Sequence, residues 1–156
     1  MKKYIEHFKT ITTHKWYVML ECFKRGLYWQ GIIHDLSKYS FTEFFVSARY
    51  FTGKGSPIDA EKNDKGYSIA WLNHKANNKH HWIYWTDRKD GEEIAVEMPE
   101  KYIQEMLCDF IGAGKAYNKG KWTPKEPMSF YQKTKHTMLL HPKTKKRFEE
   151  LLIKLL

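Results

Sequence analysis

The sequence predicts an all-α helical bundle that carries one small β-hairpin near residues 82–97. Three observations predict it. Apolar residues recur at three- and four-residue spacing along most of the chain, and helix start and stop signals frame those stretches. Only Asp90-Gly91 has the dipeptide of a tight hairpin between aromatic or β-branched runs. With 156 residues, 42% hydrophobic and 16% aromatic, the chain reads as a single domain over 1–156, able to bury a core without disulfides.

A first helix is expected from Tyr4 to Gly26, where glycine stops it; Ile11, His14, Val18 and Cys22 fall on one face. A short second helix, Tyr28 to Leu36, leads into "GIIHDLSKYSF". Ser40 and Glu43 form a capping box that opens a third helix, Phe41 to Phe51, and Glu43 is read as the capping partner. The stretch "TGKGSPIDAEKNDKG" has the Gly, Pro, Asn and Asp density of a surface loop. A fourth helix, Tyr67 to Asn78, carries Tyr67, Ala70, Trp71 and His74 on one stripe, with Asn77 and Asn78 placed to cap its end.

Met98-Pro99 opens another helix, running to about Lys115, with Ile103, Met106, Leu107, Phe110 and Ile111 as its apolar stripe. Asn118 to Pro127 reads as a basic loop. One or two further helices complete the chain, the last starting at Pro142.

Lys and Arg total 27 against 18 Asp and Glu, a formal charge of +9. That excess favours anionic partners such as nucleotides, phosphate esters or nucleic acid, and equally serves solubility. The lysine-rich segments "NKGKWTPK" and "KTKKR" make a nucleic-acid-binding module one candidate function. Cys22 and Cys108 form no CxxC pattern, so reduced thiols in a reducing compartment are expected. The N-terminus lacks the apolar run of a secretory signal, and no stretch has the length of a membrane span. A soluble, cytoplasmic chain with no membrane partner is expected.

Five of the eight histidines fit a plain surface reading poorly. His14 and His74 continue the apolar faces of their helices, His34 follows Gly31-Ile32-Ile33, and His80-His81 precede Trp82. A buried imidazole needs a partner at each ring nitrogen, from hydrogen bonds or a metal. Asp109 sits at the edge of the stripe formed by Met106, Phe110 and Ala113, where an unpaired carboxylate is costly. A cation would neutralise it and orient the imidazoles together. His7, His136 and His141 fit solvated or capping positions.

The order His14, His34-Asp35, His74, His80 or His81, Asp109 resembles the HD-domain superfamily, whose two-metal form reads His…His-Asp…His…His…Asp. "HDLSK" resembles the His-Asp-x-x-Lys of two-metal members such as the HD-GYP phosphodiesterases, although no "GYP" element follows here. With "NNKHHWIYW" the pattern is similar to a family of small bacterial and phage HD-like proteins, over residues 14 to 109.

The resemblance implies an HD-like helical bundle and a metal-dependent phosphohydrolase or phosphodiesterase. Its substrate would be a nucleotide or another small phosphate ester, attacked by metal-activated hydroxide, in the cytoplasm or, for a phage-encoded chain, the host cytoplasm. It implies one ion held by His14, His34, Asp35 and Asp109, and another by His74 and His80 with Asp35 bridging. Mn, Fe, Co, Ni, Zn or Mg are the candidate metals, one or two ions. The interval from His74 to His80 is short for this family. His80 is favoured as the ligand and His81 as its support or a substrate contact, because neighbours in an extended segment point apart.

Lys38, one turn beyond His34, either contacts a phosphoryl oxygen or is an ordinary solvated lysine. Glu105, one turn before Asp109, is expected to pair with a surface lysine, with orientation of a ligand as the alternative. Asn78 is a lesser candidate for substrate contact. Trp82, Tyr84 and Trp85 either pack in the core or stack on a base. A di-iron oxygenase is the other enzyme class whose HD-fold members resemble this ligand set.

Overall fold

The computed structural model describes residues 1–118 and 120–156, and among these it has eight α-helices and one two-stranded hairpin. Helix α1, Lys2–Lys24, buries Ile11, His14, Val18 and Cys22 as its spacing requires. Gly26, at φ +70°, turns the chain, and the Leu27 amide donates back to the Cys22 carbonyl at 2.9 Å. Helix α2, Tyr28–Ile33, ends three residues before the expected Leu36. His34 leaves helical geometry, Asp35 is left-handed at φ 54°, and a 3-10 turn follows over Leu36–Tyr39.

Helix α3, Phe41–Tyr50, starts with Ser40 Oγ accepting from the Glu43 amide at 3.3 Å. The segment expected to be a loop, 52–66, instead contains helix α4, Pro57–Lys65. Its "loop" residues are helix punctuation: Ser56 accepts from the Asp59 amide, Pro57 occupies the first turn, and left-handed Gly66 ends it. Helix α5, Ile69–Asn77, is capped by Ser68, so Tyr67 lies outside it and is exposed, contrary to its place on the expected stripe.

After a 3-10 turn over Trp82–Trp85 come strands β1, Thr86–Lys89, and β2, Glu92–Ala95, paired antiparallel from Thr86↔Ala95 to Lys89↔Glu92. Asp90 and Gly91, both at positive φ, make the two-residue connection. The all-α expectation with a small hairpin is what the structure has.

Helix α6, Glu100–Asn118, is the central element. One side packs on α1, where Val18, Cys22 and Cys108 are fully buried; both cysteines are free thiols. The other side meets helices α7, Glu126–Thr134, and α8, Pro142–Ile153, through Leu107, Ile111, Tyr131, Phe148 and Leu152. Helix α7 begins inside the basic loop expected over 118–127, and Lys119 of that loop lies outside the described residues. His141 caps α8, accepting from the Lys143 amide at 3.3 Å. No described helix is long and apolar enough to cross a membrane.

Candidate metal centre

Helices α1, α2, α5 and α6 deliver their histidines and acids to one place. Lys15 fixes the entry: its ammonium lies 2.6 Å from the Ile32 carbonyl and 2.8 Å from that of His34, at the end of α2. The turn beyond it holds Asp35 in a left-handed conformation that few non-glycine residues adopt, and the residue is 1% exposed. Gly112 on α6 lets α1 come close, since a Cβ there would strike the Val18 side chain and stand 2.9 Å from its amide nitrogen. That approach sets His14 Nε2 3.0 Å from Asp109 Oδ1 and 3.2 Å from Asp35 Oδ2.

Among the described residues the candidate ligand atoms fall into three groups: Glu105 with His34 and His80, and two larger ones that share Asp35. His14, His34, Asp35 and Asp109 form one; Asp35, His74, His80 and His81 form the other. Each oxygen of Asp35 serves one group. Oδ2 is 3.2 Å from His14 Nε2 and 3.3 Å from His34 Nε2. Oδ1 is 3.4 Å from His74 Nε2 and 3.6 Å from His80 Nε2. Ligand atoms about 2.0–2.2 Å from one ion stand about 3.0–3.5 Å apart, and these separations suit that geometry.

Carboxylates behind the imidazoles fix which nitrogen faces inward. Glu105 Oε1 accepts from His34 Nδ1 at 3.0 Å and stands 3.2 Å from His80 Nδ1. Glu43 Oε2 accepts from His74 Nδ1 at 2.9 Å, while its other oxygen accepts from Asn73 at 2.8 Å. A carboxylate only accepts, so each Nδ1 carries a hydrogen, and Nε2 is the atom left to turn a lone pair to a cation once its own proton is displaced. His74 Nε2 and His81 Nε2 lie 2.8 Å apart, close enough to share a proton or a cation.

Several expectations change here. Glu105 is buried against histidines and, among the described residues, pairs with no surface lysine. Glu43 keeps its cap amide, but its carboxylate is buried on His74, so the capping reading covers only half of what it does. Asn78 ends α5 as expected and also donates to Ser37 Oγ at 2.7 Å, bracing the turn after Asp35. Residues 79–81 are a turn rather than an extended segment, so His80 and His81 converge with ring centres 4.2 Å apart. His7, expected to be solvated, is buried between Phe44 and Phe51. Trp85 packs on the apolar core, and Tyr84 is exposed. Lys38 is no free lysine: its ammonium is 2.6 Å from Asp35 Oδ2.

Burial and charge oppose each other throughout. Burial alone would raise Asp35, but the charges of His34, Lys38 and His74 outweigh it and hold its carboxyl well below the usual range. Burial would likewise raise Asp109; hydrogen bonds from His14 and His34 bring it well down. Burial would lower Lys38, and Asp35 and Asp109 instead raise it. His81 is pushed well below the ordinary histidine range by burial and by neighbouring His80 and His74.

Seven buried side-chain polar atoms lack a well-formed hydrogen bond among the described residues, and five belong to this centre: His14 Nε2, His34 Nε2, His80 Nε2 and both oxygens of Asp35, of which Oδ2 keeps its ion pair with Lys38. Buried polar atoms are rarely left so, and five inward-facing lone-pair atoms suit a divalent cation. The residues present therefore fit one or two such ions.

The chain belongs to a family of unknown function (DUF5662), whose model matches residues 3–154. No curated protein and no solved structure matches it.

Proposed function

We propose that the chain is an HD-type metal-dependent phosphohydrolase acting on a small phosphate ester such as a nucleotide. The observation that carries this reading is the convergence of His14, His34 and His80 Nε2, none of them hydrogen-bonded, on the two oxygens of one shared aspartate, Asp35. The order of these residues along the chain, matching the two-metal HD pattern, supports it as well.

His14, His34, Asp35 and Asp109 would hold one divalent ion, and His74, His80 and His81 with Asp35 a second. Bound there, such ions supply Lewis acidity that lowers the pKa of water and draws charge from phosphoryl oxygens. Glu105 and Glu43 keep the imidazoles in the tautomer that offers Nε2. Lys38 stays cationic, and its ammonium beside Asp35 is placed to meet a phosphoryl oxygen at the edge of the centre. Asp109, with its side chain 17% exposed, faces the opening from which substrate arrives. A nucleic-acid module would leave the five buried atoms without a role.

The test is elemental analysis of purified protein together with hydrolysis of chromogenic phosphate mono- and diesters. One or two transition ions per chain and metal-dependent turnover are expected. Asp35→Asn, isosteric and tolerant of the left-handed backbone, should lose metal and turnover with an unchanged circular dichroism spectrum. Full turnover in that variant, or in chelated wild type, removes the reading.

A further inference from the structure

The centre opens into a cavity of about 720 Å³, whose lining includes Asp109 and His81. One wall follows a single stripe of α6 through Asp109, Ala113 and Tyr117, four residues apart, a run of about 12 Å. Near the centre the facing wall is Trp71 and Trp82, the Trp71 ring lying 5.1 Å from that of His81. Further along, Phe110 and Phe130 meet edge to face at 5.1 Å.

The charge of this lining contradicts the charge of the chain. Overall the chain carries +9, yet among the described residues the lining outside the ligand group presents Lys133 against Asp59 and Glu126. Glu126 is already engaged, accepting from the Thr123 amide and from Asn118. Lys62 stands over the Trp71 ring at 5.4 Å and is not part of the lining. A polyphosphate tail or a nucleic-acid strand running through this space would meet carboxylates and aromatic rings. A neutral, flat, apolar group would meet surfaces suited to it.

Building on the phosphohydrolase reading, we infer that the substrate is a phosphate monoester of an uncharged alcohol bearing an aromatic group. The phosphate sits at the metal centre and the aromatic part lies along α6 against these rings. Hydrolysis then adds water across one bond: the water oxygen joins phosphorus, the P–O ester bond breaks, and the alcohol leaves with a proton beside inorganic phosphate. Nucleoside triphosphates and nucleic-acid strands are poor ligands.

The experiment uses the metal-loaded full chain with 1-naphthyl phosphate, 1-naphthol, ATP and a thymidine oligonucleotide. Binding is followed by tryptophan fluorescence, and turnover by phosphate release. Expected is binding of 1-naphthol, weakened at least tenfold by Ala113→Phe with metal content unchanged, and turnover of 1-naphthyl phosphate that ATP and the oligonucleotide fail to inhibit. Phe130→Glu, at a half-exposed position and with folding checked by circular dichroism, is the second variant and should weaken 1-naphthol in the same way. Equal 1-naphthol binding in both variants, or stronger competition from ATP or the oligonucleotide, overturns the inference. Binding of 1-naphthol without turnover of any ester keeps the cavity assignment and overturns the hydrolase reading instead.

Discussion

The two sides of α6 solve opposite problems. Toward α7 and α8 it presents Leu107 and Ile111, which with Tyr131, Phe148 and Leu152 close an apolar core that needs nothing further. Toward the metal centre it presents Glu105 and Asp109, buried or nearly so among histidines with lone pairs unmet. The first side stabilises the fold through burial; the second costs free energy that a bound cation would recover. One helix thus holds a self-sufficient apolar core and a costly polar cluster back to back, and the stability of the first offsets the cost of the second.

Substitutions can separate the two sides. Phe148→Ala, opening a void at a fully buried ring, should cost about 3–5 kcal/mol in denaturant unfolding while metal bound per folded chain stays constant. Loss of metal in parallel would show the sides to be coupled. Glu105→Gln should do the reverse, weakening metal binding by about 10–100-fold in titration calorimetry with little change in chelated stability.

Gly112→Ala tests the seam with α1. Its Cβ must push α1 away at Val18, costing about 1–3 kcal/mol and weakening the group that contains His14 more than the group that contains His81.

The smallest effect belongs to Glu21, at the far end of that seam. Burial alone would raise its carboxyl, but hydrogen bonds from Lys115 and Lys24, with Arg25, pull it down to about 2 from an ordinary 4.5. A depressed carboxylate favours the folded state above its unfolded pKa, so this contribution is present above pH 4.5 and fades as pH falls toward 2. Glu21→Gln should flatten that part of the acid limb in urea unfolding.

Much of the fold was legible because the periodic signals were strong. The stripes of α1 and α6, the Ser40 cap and the Asp90-Gly91 turn each rest on local chemistry that survives in the structure. Helix α4 was missed because Ser56, Pro57 and Gly66 are ambiguous, serving equally as loop residues and as helix ends. The end of α2 was misjudged because the left-handed turn at Asp35 has no glycine to announce it. At the centre, an inward histidine on an apolar stripe was readable at His14 and His74. Glu43 was hidden because its cap already explained it, and Lys15 because nothing local distinguishes it from any other lysine.

What the sequence determined by itself was the helical class and which imidazoles and acids could not be left in water, since spacing and polarity are local properties of the chain. Tertiary structure decided that Asp35 stands between two histidine groups, that Glu43 and Glu105 hold the tautomers, and that a basic chain has an acidic, aromatic cavity. Those are consequences of helix packing, of how closely α1 approaches Gly112 and where the turn at 79–81 aims its rings, and distances between remote residues are not written in any local pattern.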